Sequence, residues 1–297
     1  MTRRPVPDRR QTQTDLPVLH SFRLNYRPPS PIGFSAWIAG IPPWLALALA
    51  ALGLAWPAIA LAQNSGGDAT GPLRALIEWM PFLLMRGFSA TVLISLMTML
   101  IGSVAGLFLG LGQISPRLVI ALPCRWITQI FRNSPWLVLL FIVMLSFPFE
   151  VRLFGSIYPI PDWSKAVFGL ALPIMANVAE IVRGAIASVP SAQWEAAESL
   201  AFTRRQTLFE IILPQCIKRM LPPWMNWYAI LTMATPIVSI LGVDELLNLT
   251  RQAIQAEGSR PELLIPFYSF VLLVFFLYCY PIARITVWLE RKYAVKL

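Results

Sequence analysis

The sequence predicts an all-α, polytopic membrane protein with six transmembrane helices. Three observations carry that prediction. Hydrophobic residues make up 57% of the 297 residues and charged residues only 13%, and the mean hydropathy is +0.63. A soluble domain carries roughly 25% charge, so this chain cannot cover a water-facing surface of its size. Disorder is excluded too, because it needs low hydrophobicity. The apolar residues gather into runs of spanning length. Finally, basic residues concentrate on one side of those runs. Aromatic residues at 12%, with 11 Trp, suit a chain with many membrane interfaces.

The elements follow in order. Residues 1–43 read as a basic cytoplasmic tail, and residues 44–62 as a first span. That span ends in Ala60-Leu61-Ala62, which resembles a signal-peptidase site, so a cleaved signal is the alternative. The basic tail before it is long for a signal peptide. Residues 63–86 form an outer linker with a short amphipathic piece at 73–84. A second span covers 87–112. The third follows Pro135 and runs to about Phe147, with an amphipathic lead-in from Arg117. The fourth covers 166–186 and contains Pro173; the fifth covers 223–241; the sixth covers 263–289. No internal repeat of the kind common in secondary carriers is present.

Six spans put both termini on one side. Arg3, Arg4, Arg9, Arg10, Arg23 and Arg27 then lie inside in the tail, and Arg117, Arg125 and Arg132 in the next inner loop. Arg183, Arg204, Arg205, Lys218 and Arg219 lie in the long inner loop, and Arg284, Arg291, Lys292 and Lys296 at the C-terminal end. Only Arg74, Arg86, Arg152, Lys165, Arg251 and Arg260 lie outside. The acids split 7 inside and 8 outside, so the +9 net charge divides into +11 inside and −2 outside. Both termini are therefore expected in the cytoplasm, and the basic excess needs no nucleic-acid partner. Cys124, Cys216 and Cys279 form no C-x-x-C pair, and His20 is the only histidine. No metal site, disulfide framework or Ser–His–Asp triad is expected.

The inner loop at about 188–215 is the informative segment. Residues 193–200 are strong helix formers after Pro190. Thr203 can cap a second helix, with Gln206 completing a capping box. Leu208, Ile211 and Ile212 give that helix an apolar face, and Pro214 is expected to end it. Two short ordered helices under the membrane imply a protein to dock.

Here the chain resembles the permease subunits of bacterial ATP-binding-cassette importers. Their loop reads Glu-Ala-Ala, then Gly four residues on, then Ile-x-Leu-Pro. This chain has Glu195-Ala196-Ala197 and Ile211-Ile212-Leu213-Pro214, with Ala201 at the glycine position. An alanine fits there only with a negative φ. Phe131-Arg132-Asn133-Ser134-Pro135, Ala179-Glu180-Ile181-Val182-Arg183-Gly184, Gly87-x-x-x-Thr91-x-x-x-Ser95 and Ser239-Ile-Leu-Gly242-Val resemble the polar and basic amino-acid branch. That branch often has Lys-Asp/Asn-Thr-Ser where this chain has Met233-Ala234-Thr235-Pro236.

The resemblance implies a five-helix type I permease core at 87–297, with the 44–62 helix as an addition. It implies a multi-pass protein of the bacterial inner membrane that imports polar amino acids or similar small solutes by alternating access. ATP-binding ATPase subunits would dock on Glu195, Ala196, Ala197, Glu198, Ala201, Arg204 and Arg205. A periplasmic solute-binding protein would deliver solute, and a second permease would complete the pathway, with a heterodimer favoured by the lost charge at Met233 and Ala234. The chain has no G-x-x-x-x-G-K-[ST] loop. It is not expected to be an enzyme or to hold a cofactor; ATP and Mg would sit on the ATPase.

Other residues carry two readings. Glu180 and Arg183, at i and i+3, read as a structural ion pair, with gating as the alternative. Tyr228, Thr232, Thr235 and Ser239 share one helical face. Such a face either lines a passage or bonds a neighbouring helix. Pro236 would free a carbonyl near Thr232, which favours the passage, and Asn177 is a further pathway candidate. Gly87, Thr91, Ser95, Thr98, Gly102 and Gly106 read as helix-packing ridges that need no site. Two alternatives to the importer stay open: a degenerate permease serving as a membrane scaffold or regulator, and a free-standing secondary carrier. Membrane lipid is a partner in every case.

Overall fold

The computed structural model describes residues 70–153 and 156–293. The expected tail and the 44–62 span lie outside them. The first helix, α1 (Thr70–Phe82), passes through a π-helical turn, Leu83–Phe88, into α2 (Ser89–Gln113). The amphipathic piece before Gly87 and the following span are thus one continuous helix, Gly71–Gln113. The widened turn brings Gly87 against a neighbour: a Cβ there would lie 3.0 Å from the Leu246 Cα.

Next, α3 (Leu118–Asn133) and α4 (Trp136–Ser146) meet at a 106° bend. Pro135 causes it. A residue before proline is driven out of the α region, and Ser134 is extended at φ −85°, ψ 141°. A short antiparallel hairpin follows, β1 (Glu150–Leu153) with β2 (Ser156–Pro159), pairing Val151 with Tyr158. The all-α reading needs that small correction. Four-residue strands are too short to leave a period-2 pattern beside long apolar spans.

The central helix is α5 (Asp162–Ala187), which is buried on most sides. Gly102, Gly106 and Gly110 of α2 let the two helices approach closely. A Cβ at these positions would meet Ile174, Val178 and Val182 at 2.6–2.7 Å, the small-residue seam of membrane packing. Ile94, Met99, Leu140, Leu170, Ile174, Leu231 and Val238 form the core around this pair.

The inner loop holds α6 (Ser191–Ser199) and α7 (Arg204–Gln206). A π turn, Thr207–Ile212, leads into α8 (Leu213–Ala234), and a 3₁₀ segment, Thr235–Leu241, ends at Gly242 with φ +80°. Pro214 therefore does not end the loop helix. A proline inside an α-helix loses one hydrogen bond and collides with the carbonyl four residues back. The π turn just before it widens the backbone, so helix runs unbroken over Arg204–Leu241. Finally, α9 (Leu246–Ala256) precedes a 3₁₀ turn, Pro261–Leu263, and α10 (Leu264–Tyr293).

Among the described residues, four helices are long and apolar enough to cross a membrane: Gly71–Gln113, Asp162–Ala187, Arg204–Leu241 and Pro261–Tyr293. The bent α3–α4 pair makes a fifth if it counts as one span.

Candidate functional site

The loop between α5 and α8 forms a compact surface. Ala197 is its one buried α6 residue, while Glu195, Ala196 and Glu198 face outward. The helix ends in a two-bond turn. The Phe202 N–H donates to the Ala197 carbonyl at 3.1 Å, and the Ala201 N–H donates to the Glu198 carbonyl at 2.9 Å. This is the Schellman pattern, which needs a left-handed residue at Ala201. Ala201 has φ +60°, so the expected negative φ is overturned. The turn keeps the shape glycine favours, and the alanine bears a cost of about 1–2 kcal/mol for its Cβ.

Thr203 then starts the next helix with both halves of the capping box. The Gln206 N–H donates to Thr203 Oγ1 at 3.4 Å, and the Thr203 N–H donates to Gln206 Oε1 at 3.0 Å. Arg204 and Arg205 follow, exposed, at the rim of a cavity of about 470 Å³ walled by Leu111, Ile114, Ile186, Trp194, Leu208 and Phe209. The loop thus seats on the inner ends of α2 and α5. Among the described residues, Glu195, Glu198, Arg204 and Arg205 form no ion pair. Their side chains face outward. Leu200 at the loop apex is 73% exposed. Sequence reading missed it, and an apolar residue between two acids and two arginines was the available signal.

A second constellation lies between α3, α5 and α8. Glu180, 16% exposed, accepts from Arg183 Nη2 at 2.7 Å and pairs with Arg132 Nη1 at 3.6 Å. The expected i, i+3 pair is a triad that links α3 to α5. Arg132 stands far from Glu180 in sequence, so only its place in the Phe131-Arg132 motif pointed to it. Arg219 donates to the Ser188 carbonyl at 2.9 Å and to Ser188 Oγ at 2.8 Å, fastening α8 where the loop leaves α5. Arg132, Asn177, Glu180, Arg219 and Trp227 line a cavity of about 440 Å³. Asn177 Nδ2 also donates to the Pro173 carbonyl one turn back on its own helix, at 2.8 Å.

The face of Tyr228, Thr232, Thr235 and Ser239 does not join that cavity. All four are buried. Thr232, Thr235 and Ser239 donate to carbonyls of their own helix at 2.7–3.0 Å. The Tyr228 and Tyr278 hydroxyls lie 2.7 Å apart, and Ser95 Oγ is 3.5 Å from Tyr228. The face packs α8 against α2 and α10. The Thr232 carbonyl, expected to be freed by Pro236, accepts from the Thr235 N–H as the helix tightens to 3₁₀. Met233 points away from this packing and lines an apolar groove of about 610 Å³ beside α10.

Sequence reading also missed Glu245. It is fully buried in the turn before α9 and caps that helix, accepting from the Asn248 N–H at 2.9 Å. Thr91 of α2 donates to its other oxygen at 3.3 Å and accepts from the Leu246 N–H at 3.1 Å. Burial pushes the carboxyl above the usual range. The N–H groups of Leu247 and Asn248, the Thr91 hydroxyl and the Arg251 charge oppose that rise.

Known proteins share this architecture. A probable amino-acid ABC transporter permease, YckA of Bacillus subtilis, is 35% identical over 218 residues, 73% of this chain and 92% of that one. The L-cystine transport system permease TcyB of Bacillus subtilis is 29% identical over 71% of this chain and 86% of its own length. The crystal structure of an amino acid ABC transporter with histidines superposes with a TM-score of 0.62 at 27% identity, covering 73% of this chain and 96% of that one. The model of the binding-protein-dependent transport system inner membrane component family matches residues 102–295. This chain, with its spans, its loop helices and that match over most of its length, belongs to the family of inner membrane components of binding-protein-dependent transport systems.

Proposed function

We propose that the chain imports polar amino acids or similar small solutes as one of two permease subunits driven by a separate ATPase. The observation that carries this reading is the continuity of the inner loop with a span. The docking surface, exposed at Glu195, Ala196, Glu198, Ala201, Arg204 and Arg205 with Ala197 buried beneath it, leads into helix that runs unbroken over Arg204–Leu241. A push on the loop is then transmitted as rigid motion of α8. Alanines at 196 and 201 leave room for a cleft wall, and the outward-facing charges can pair across its rim.

In this reading, ATP and Mg bind the ATPase, whose closure turns the permease pair outward. A periplasmic binding protein delivers solute, and hydrolysis resets the pair. The solute passes the cavity of Arg132, Asn177, Glu180, Arg219 and Trp227, where a zwitterion finds both signs of charge. Tyr228, Thr232, Thr235 and Ser239 hold the moving helix together. One chain cannot enclose a passage, so a second permease is needed. With no charge at Met233 and Ala234, and Met233 in a groove apart from the cavity, a non-identical partner is favoured. Both termini lie in the cytoplasm. The named amino-acid relatives support the solute class.

The test is Glu195→Lys in cells, with uptake of labelled amino acids and co-purification of the ATPase both measured. Uptake should fall at least tenfold together with ATPase retention. Unchanged uptake with the ATPase still bound would refute the docking assignment. Recovery of a single permease species from the tagged complex would refute the heterodimer.

A further inference from the structure

Helix α3 touches the bundle along one narrow face. Ala121 and Thr128 are its buried residues. Thr128 Oγ1 accepts from Gln113 Nε2 at 2.9 Å, and Gln113 is the last residue of α2. One turn further along α3, Arg132 reaches Glu180, two turns before the inner end of α5. The first turn is tied there too, because Ile120 and Cys124 lie against Gly112 near the end of α2, so this 16-residue helix, about 24 Å long, stays close to the inner ends of the two spans along its length. The 106° bend then starts the climb, which α4 makes. Helix α3 lies across the bundle instead of along it.

Its sides differ. At 100° per residue, Val119, Ile127 and Ile130 share one arc, and all three are exposed. The opposite arc carries Arg125, Gln129 and Arg132 towards the C-terminal end, with exposed Leu118 and Leu122 towards the N-terminal end. The apolar arc continues an exposed stripe on the adjoining span: Leu100, Val104 and Phe108 of α2 are 60%, 51% and 70% exposed. The next residue of that stripe, Gly112, lies directly against Cys124 of α3. Arg117 and Arg125 form no ion pair among the described residues.

We propose that α3 is an in-plane helix of the inner leaflet, with Val119, Ile127 and Ile130 in the acyl region and Arg117 and Arg125 on the phosphates of anionic phospholipid. An amphipathic helix with this division sinks about 5–10 Å into the headgroup boundary, and each arginine near such a surface adds about 1 kcal/mol of attraction. The apolar stripe of the span meets this helix where Gly112 lies against Cys124 and Ile120, and the two exposed cations match the charge of the inner leaflet.

Depth measurement tests it. Nitroxides are placed at Val119→Cys, Gln129→Cys and Ile130→Cys in the full chain without native cysteines, reconstituted in nanodiscs of phosphatidylcholine and phosphatidylglycerol. Positions 119 and 130 should lie at equal depth just below the phosphates, open to oxygen, with position 129 open to a water-soluble nickel chelate. A helix crossing the bilayer would separate 119 and 130 by about 16 Å, and that result overturns the proposal. So does shielding of 119 and 130 from both reagents with spin coupling between chains, the signature of a second permease on this face. A second measurement keeps the native cysteines. The preference of the chain for spin-labelled phosphatidylglycerol over phosphatidylcholine should fall by up to about fivefold for each of Arg117→Gln and Arg125→Gln. An unchanged preference in the double variant overturns the headgroup assignment.

Discussion

Replacing Ala201 with glycine should tighten the loop turn. Ala201 sits at φ +60°, and the turn's two hydrogen bonds, Phe202 to Ala197 and Ala201 to Glu198, hold it there. The left-handed conformation costs an L-residue about 1–2 kcal/mol. Glycine removes that strain but raises the entropy of the open loop, which takes back about 0.4–1 kcal/mol. The difference leaves a gain of roughly 0.5–1 kcal/mol, or about two- to fivefold in the local opening equilibrium. Hydrogen exchange reads that equilibrium directly, because the Ala201 and Phe202 amides are the donors of the turn. Their protection should rise about two- to fivefold in Ala201→Gly, while exchange in the α5 core stays the same. Ala201→Val, with a branched Cβ in the same place, should lower protection of both amides. Equal or lower protection in the glycine variant would mean that the alanine is unstrained, and the reasoning would fail.

Three further outcomes follow from the geometry. Gly106→Ala puts a Cβ 2.7 Å from both the Met175 carbonyl and Val178, and should destabilise the chain by about 1–3 kcal/mol in thermal unfolding. Gly184→Ala, with nothing within 4 Å, should be neutral or stabilise the helix by about 0.5–1 kcal/mol; equal losses at both sites would refute the close-packed seam. In a double-mutant cycle, Glu180→Gln and Arg132→Gln should couple by no more than about 1 kcal/mol, since the arginine is half exposed; zero coupling would dissolve the triad. For Glu245 the folded carboxyl titrates above its unfolded value. Its stabilising contribution is therefore complete below the ordinary carboxylate pKa and lost as pH rises through the folded one. Between pH 5 and pH 8 the melting temperature of the native chain should fall more than that of Glu245→Gln, whose amide keeps the cap and cannot ionise; parallel curves would contradict this.

The features read correctly from sequence were those set by near neighbours. Apolar runs mark spans because each residue pays its own transfer cost, and Thr203 with Gln206 marks a helix start because both halves of the box lie within one turn. The glycines of α2 could be read as a seam by their spacing, though nothing local said that α5 was on the other side. What escaped was set by distant partners or by compensation. Arg132 belongs with Glu180 only once the Pro135 bend has turned α4 away and left α3 lying across α5. Pro214 looked like a stop because proline breaks α-helices, yet a widened turn at Thr207–Ile212 lets the helix pass. The same logic inverted Ala201: the residue argued for negative φ, but the two hydrogen bonds of the turn and the capping box after it over-determine a left-handed residue at that point. The hydroxyl face of α8 shows the limit most clearly. A row of Tyr228, Thr232, Thr235 and Ser239 has the same period whether it meets water or a neighbouring helix. The Tyr228–Tyr278 contact and the carbonyls taken up by the three smaller hydroxyls favour helix packing, and those partners lie on other helices or in backbone geometry that the residue pattern does not encode.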